Sequence, residues 1–325
     1  MVSEESRQWS EDPKLWWYGR AILLLLTLAA FFPGLGGGYI FWDDPGMVID
    51  NPFFHDLSPS SLLTLFTRPY MSLYQPLTIL SFAIEYRLAG LDFFVFHLTN
   101  LLLHMLNVLL ILELARRLGM SKWSAFLTAV LFALHPSRVD SVTWITERKD
   151  VLFTFFFLLG LVIHVRHPAS GSQSPGKKVF LCFVLSLLSK FAAASFPFAL
   201  AIVDKLRNDS SVIESLKKMW GFFLVIVVVS FLMLGAFQSS FAPPSESGSS
   251  VAQAMVRPLK VILGVGVMMR HFLLPTDIPV YLPFLPNTVT DWPAATISWG
   301  VCALFFGLCL YWSRGLASVQ FGLWF

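Results

Sequence analysis

Residues 93–115 read FFVFHLTNLLLHMLNVLLILELA, and Arg116-Arg117 follow at once. This run carries Glu113 as its sole full charge. At about 1.5 Å per residue it is long enough to cross the roughly 30 Å hydrocarbon core of a bilayer as a helix. The paired arginines then mark the membrane edge, because Lys and Arg collect in the loops on the cytoplasmic side.

The rest of the chain repeats this pattern. Of its 325 residues, 56% are hydrophobic and 13% charged, with 32 Phe and 11 Trp, and the mean hydropathy is +0.68. A soluble globular surface needs about a quarter of residues charged, so water is not the only solvent here. The net charge of +3 is small. No basic cluster interleaves with aromatics as a nucleic-acid surface requires, so nucleic acid is not an expected partner. Cys182, Cys302 and Cys309 all lie within apolar stretches. They suggest packing rather than a disulfide framework or a zinc site.

The expected fold class is an all-α, polytopic membrane protein. After a cytoplasmic tail over 1–16, spans are expected at about 17–36, 93–115, 122–136, 149–165, 179–191, 192–204, 219–237 and 294–313, some of them tilted or kinked at Pro197. The run Ala21–Phe32 also admits a secretory-signal reading. Its long, partly acidic leader and the lack of a small-x-small cleavage site favour a first membrane helix. The basic groups Arg20, Arg116-Arg117, Arg166 with Lys177-Lys178, Lys205 with Arg207, Lys217-Lys218, and Arg314 should all be cytoplasmic. Eight crossings put an even number between each neighbouring pair.

The same parity puts residues 37–92, 137–148, the turn at Lys190 and residues 238–293 on the outer side, lumen or periplasm. Were 179–204 one helix, Lys190 would sit near mid-bilayer at about 2.5–3.5 kcal/mol, so a hairpin is preferred. Segments 73–89 and 251–274 are read as interfacial amphipathic helices, although 251–274 also admits a span.

Three groups of residues could do chemistry. Asp43-Asp44, in Phe41-Trp42-Asp43-Asp44-Pro45, stand just past the first span. A carboxylate there can take a proton from a hydroxyl, with its neighbour raising its pKa; an Asx-type turn beside Pro45 is the plainer reading. Between His135 and Asp150, seven ionisable groups fall within sixteen residues: His135, Arg138, Asp140, Glu147, Arg148, Lys149 and Asp150. A solvated hairpin with internal ion pairs, a capped helix start and a functional cluster all fit that stretch. Lys190, Arg270 and His271 could bring positive charge to the outer leaflet, where a lipid phosphate sits. Isolated His97, His104 and His164 read as helix-packing hydrogen bonders. No glycine-rich phosphate loop, metal-ligand helix pair or serine elbow occurs, and no metal is expected.

The ordered set Phe41-Trp42-Asp43-Asp44, Asn51-Pro52, Tyr74-Gln75-Pro76-Leu77-Thr78, His97–His104, Ala133-Leu134-His135-Pro136 and Trp144–Leu152 resembles the membrane portion of the transmembrane-and-tetratricopeptide-repeat O-mannosyltransferases and their bacterial relatives. These are GT-C glycosyltransferases, related to the protein O-mannosyltransferases, and the resemblance runs from about Trp16 to the end. It implies a sugar, mannose by analogy, carried on a polyprenyl phosphate. It also implies a protein or glycan hydroxyl as acceptor, an outer-face active site and no cofactor beyond the donor lipid. Localisation would be the bacterial inner membrane or the endoplasmic reticulum.

By position, Asp43 matches the family's catalytic base, with Asp44 beside it. Glu147, Arg148, Lys149 and Asp150 match a second motif, and Lys190 matches an outer-side lysine. His97, Asn100, His135 and Arg138 are candidate supports. The implied chemistry is a single inverting displacement, with cations such as Lys190, Arg148 or Arg270 meeting the leaving phosphate.

Two departures stand out. Lys190-Phe191 replaces the usual Lys-Pro, and Arg138 stands where many relatives have a second His after His-Pro. The chain ends at Gly322-Leu323-Trp324-Phe325 with no helical repeats behind it, which reads as a truncated product. Two other functions compete: a flippase or transporter of lipid-linked substrates, and an inactive remnant. A transporter should carry ionisable groups near mid-span, whereas these sit at span ends.

Overall fold

The computed structural model describes residues 13–166, 175–208 and 210–240, together with positions 269, 270, 272, 273, 275 and 300. Expectations for residues 1–12, for the interfacial segment 251–274 apart from those few positions, for His271 and for the span 294–313 apart from Gly300 lie outside the described residues. The chain divides into two compact units, Met1–Phe241 and Ala242–Phe325, and the architecture below is that of the first.

Among the described residues the fold is all helix, without named strands. Its elements are α1 Pro13–Phe31, α2 Pro59–Thr67, α3 Pro76–Ala89, α4 Phe93–Arg117, α5 Lys122–Leu134, α6 Arg138–Thr143, α7 Arg148–Arg166, α8 Lys177–Ser189, α9 Phe196–Asn208, α10 Val212–Lys217 and α11 Trp220–Ser240. Two segments, Trp16–Gly36 and Phe93–Arg117, are long and apolar enough to cross a membrane, and Lys122–Leu134 and Trp220–Met233 are shorter apolar helices. Several starts follow capping rules: Pro opens α2 and α3, Ser58 accepts from the Ser61 amide, Asp92 from Phe94 and Ser121 from Ser124.

α4 is the axis of the bundle. Arg20 of α1 reaches Glu113 near its C-terminus, while Phe31 of α1 meets His104 edge-on at 5.3 Å. α1 therefore runs antiparallel to α4. α5 turns back after Gly119, whose φ of +84° suits a residue without a Cβ, and carries Ala133 to His104, where the carbonyl lies 3.1 Å from the imidazole Nε2. Ala125, Ala129 and Ala133, four residues apart and fully buried, let α5 close onto Leu23, Val108 and Leu112. Such small-residue ladders are how helices approach where lipid supplies no hydrophobic drive.

α7 runs parallel to α4, since Asn107 donates to the Val151 carbonyl at 2.8 Å while Asn100 donates to that of Trp144 at 3.1 Å. α8 returns antiparallel, with the Ser186 hydroxyl on the Phe153 carbonyl and Lys190 on Asp150. α9 descends again: Phe196 packs on Phe157 at 4.9 Å, and Asp204 meets His164 one helical stretch further on, at 2.7 Å.

The reversal expected around Lys190 is thus present, built from an extended Lys190 (φ −156°, ψ 134°) and a 3-10 turn Phe191–Ser195. That extended backbone is also the one a following proline would favour, so the reversal forms with Phe191 in that place. At 13 residues each, α8 and α9 are about 20 Å long, shorter than a bilayer core.

Two features differ from the expectation. The first helix begins at Pro13, inside the segment read as a tail. α3, expected to be amphipathic, buries the polar Thr78 and Glu85 while exposing Ile84 and Leu88. The physical reason is Arg148, which lies under α3 and demands a carboxylate.

Candidate active site

The helix directions gather the polar loops at one end of the bundle, where the first loop, 37–58, meets the segment 135–150 and the α8–α9 reversal. Asp44 ties the first two together. It is completely buried. Its Oδ2 accepts the Ile40 amide at 2.7 Å, and its Oδ1 accepts the Trp144 indole N–H at 3.0 Å, the Thr146 amide at 3.0 Å and the Thr146 hydroxyl. Four donors compensate the desolvation of one carboxylate. Its side chain does not cap the turn that follows it, so the Asx-type reading is not what forms. Asp43 is the opposite case. It is half-buried, its carbonyl accepts the Met47 amide at 2.9 Å, and among the described residues its carboxylate has no hydrogen-bond or ion-pair partner. Trp42 and Trp144 flank this pair, ring centroids 5.8 Å apart.

Arg148 lies inside the protein. It is 1% exposed, and its Nε donates to Asn100 Oδ1 at 2.8 Å, one terminal nitrogen to the Phe96 carbonyl at 2.8 Å and the other to Glu85. The Phe82 and Phe96 rings lie over its guanidinium at 4.5 and 5.6 Å. Buried and with all three of its nitrogens engaged, Arg148 locks α3, α4 and α7 together. Asn100 completes that lock by donating to the Trp144 and Ile145 carbonyls.

Its neighbours face differently. Lys149 donates to Glu147 at 2.6 Å. Burial pushes the Glu147 carboxyl above its usual range, and Lys149 works against that rise. Asp150, in the first turn of α7, pairs with Lys190 and accepts the Ser141 hydroxyl at 3.2 Å. Lys190 keeps a third of its side chain exposed. It is further fixed because Thr78 of α3 donates to the carbonyl of Ser189 at 3.0 Å.

The remaining candidates are supports. His97 Nε2 lies 3.2 Å from the Gly38 carbonyl, holding the glycine-rich approach to Asp43. His135 Nδ1 contacts Ser137 Oγ at 2.8 Å, and Arg138 donates to the same hydroxyl. Burial lowers the Arg138 pKa while Asp150 opposes the shift. Arg270 belongs to the second unit, and His271 is outside the described residues. Among the described residues no group of three or more His, Cys, Asp or Glu side chains could hold a metal ion.

Glu85, Trp144 and Thr146 were not anticipated as site partners. A carboxylate amid the apolar run of α3 was the available signal for Glu85, because such a charge needs a partner.

No family model matches the chain. A curated protein O-mannosyl-transferase of Caenorhabditis elegans is 29% identical over 182 residues, covering 52% of this chain and 25% of that protein. Its relatives are protein O-mannosyl-transferases. Protein O-mannosyl-transferase tmtc2 of Xenopus laevis is 30% identical over 239 residues, 67% of this chain and 28% of its own length. Protein O-mannosyl-transferase TMTC1 of Homo sapiens is 31% identical over 142 residues, 40% of this chain and 16% of its own. The chain therefore spans only a fraction of the O-mannosyl-transferases it matches. No solved structure matches.

Proposed function

We propose that this chain is a multi-pass membrane glycosyltransferase of the GT-C kind that moves a mannosyl group from a polyprenyl-phosphate donor to a protein hydroxyl. Asp43 is the base. It takes the acceptor hydroxyl's proton as that oxygen attacks the anomeric carbon from the face opposite the phosphate. The bond from the anomeric carbon to the phosphate oxygen breaks, the configuration inverts and the polyprenyl phosphate leaves with its electron pair. Phosphate is already a competent leaving group, so no second carboxylic acid is needed to protonate it. Lys190, held by Asp150, offers positive charge as the leaving oxygen develops its own negative charge.

In this reading the site end of the bundle faces the lumen of the endoplasmic reticulum or a bacterial periplasm, supported by Arg20, Arg116 and Arg117 at the opposite end, since such residues collect on the cytoplasmic side. The observation that carries the reading is the division of labour in Asp43-Asp44. One carboxylate is anchored by four donors and its neighbour is left without a partner among the described residues.

The test is transfer of mannose from the polyprenyl-phosphate donor to a hydroxyl peptide by the chain in membranes. Asp43→Asn should lower the rate by at least about a hundredfold, the scale of a lost general base, with expression intact. Full activity in that variant would remove Asp43 from the role. Polyprenyl phosphate retained through purification would separate the enzyme from an inactive remnant.

A further inference from the structure

At the end of the bundle opposite the candidate site, three guanidiniums converge on one carboxylate. Arg116 grips both oxygens of Glu113 at 2.9 and 3.1 Å, Arg117 donates to Oε1 at 2.5 Å, and Arg20 of α1 approaches Oε2 at 3.7 Å. Both Glu113 oxygens are thereby committed, and two positive charges are left over. These contacts use one nitrogen of Arg20, one of Arg117 and two of Arg116, so each guanidinium keeps N–H groups beyond them. Their side chains are 27–30% exposed, so part of each stays open to the surroundings. The Arg20 guanidinium lies over the Trp16 ring at 4.5 Å and the Trp17 ring at 5.4 Å. Arg207 of α9 lies near the same edge, where Asp204 favours its charge and Arg117 opposes it more weakly.

An independent set of residues marks what this edge faces. Trp17 of α1, Trp123 at the start of α5 and Trp220 at the start of α11 are 66%, 83% and 71% exposed. Each belongs to a helix terminus: Trp17 lies one turn before Arg20, Trp123 follows the turn out of Arg117, and Phe222 two residues after Trp220 packs on Phe180 in the first turn of α8. Exposed tryptophans at helix ends are the mark of a membrane–water boundary. From Asn100 to Glu113 α4 rises about 20 Å, so this edge and the candidate site are separate.

We infer that Arg20, Arg116 and Arg117, around Glu113, form a binding site for the headgroup phosphate of an anionic phospholipid in the leaflet at this end. A phosphodiester oxygen meets planar donor forks there, and the leftover charge selects an anionic over a zwitterionic lipid. The inference rests on α1 and α4 crossing a bilayer and not on the transferase reading, so loss of transfer activity has no bearing on it.

The full chain in mild detergent, incubated with equal amounts of phosphatidylglycerol and phosphatidylcholine, is analysed by native mass spectrometry. The wild type should retain phosphatidylglycerol in about thirtyfold preference, equivalent to roughly 2 kcal/mol at 1.4 kcal/mol per tenfold. Arg116→Gln with Arg117→Gln should bring that preference to within about threefold of parity. Arg20→Gln, on the other helix, should lower it severalfold. No preference in the wild type overturns the site, as does an unchanged preference in the double variant. If the double variant does not fold, Arg20→Gln and the wild type decide. Complete displacement of the lipid by a few millimolar inorganic phosphate would mean a soluble phosphate site instead, and would also overturn it.

Discussion

Asp44 accepts the indole N–H of Trp144 at 3.0 Å across one hundred residues of chain, and that bond joins the first loop to the segment between α5 and α7. The adjacent Asp43 forms no such link among the described residues, so two carboxylates with consecutive numbers should behave differently when replaced.

Asp44→Ala removes the acceptor for four donors at once. It should destabilise the protein by about 2–3 kcal/mol, because buried donors left unpaired carry the full desolvation penalty. Asp43→Asn should alter stability by no more than about 0.5 kcal/mol. Thermal unfolding in detergent measures both, and equal melting temperatures for the two variants would contradict the anchored role of Asp44.

Arg148→Met would strand the Glu85 carboxylate in the interior and should cost about 3–5 kcal/mol. Combining it with Glu85→Leu should cost clearly less than the sum of the single changes, since neither charge is then left alone. A double-variant cycle on unfolding free energy reads this coupling. Strict additivity would mean that the pair does not act as a unit.

Lys190→Met breaks the pair with Asp150 at a partly exposed position, where an ion pair contributes only about 0–1 kcal/mol. Mannose transfer should nevertheless fall about a hundredfold, with Lys190→Arg recovering part of it. Initial rates across donor concentrations, set beside the melting temperature, distinguish the two effects. Normal rates in Lys190→Met would exclude the lysine from phosphate stabilisation.

Gly160 of α7 has no room for a methyl group: a Cβ there would lie 2.7 Å from Phe196 Cζ and 3.1 Å from Cys182 Cβ. Phe196 is itself held by Phe157, Phe183 and Phe222, so it has nowhere to retreat. Gly160→Ala should therefore destabilise by about 1–3 kcal/mol despite its better helix propensity. A rise in melting temperature would show that the aromatic cluster yields.

The helices were legible in the sequence because long apolar runs bounded by Arg and Lys leave few alternatives, and the reversal at Lys190 followed from the cost of a lysine at mid-bilayer. The standing of Asp43, Glu147, Asp150 and Lys190 at the ends of apolar runs was legible for the same reason. What could not be read was which charge faces inward. Arg148, Lys149 and Asp150 are consecutive, and their separate fates depend on the rotation of α7 and on a Glu85 presented from more than sixty residues away. The tight turn at Tyr70–Leu73 was equally hidden. Met71 and Ser72 both adopt positive φ there, a conformation their side chains do not announce.

The pairing of an anchored Asp44 with an Asp43 that has no partner among the described residues also sets the reading frame of the first loop. Neighbours on a bent backbone point different ways, so inserting one residue between Gly38 and Ile40 would carry Asp43 into the socket formed by Trp144 and Thr146 and turn Asp44 out of it. Both acids would survive such an insertion, but the anchored role would pass to Asp43 and Trp42 would stand in the open position, which makes the length of this short glycine stretch as much a determinant of the site as the acids themselves.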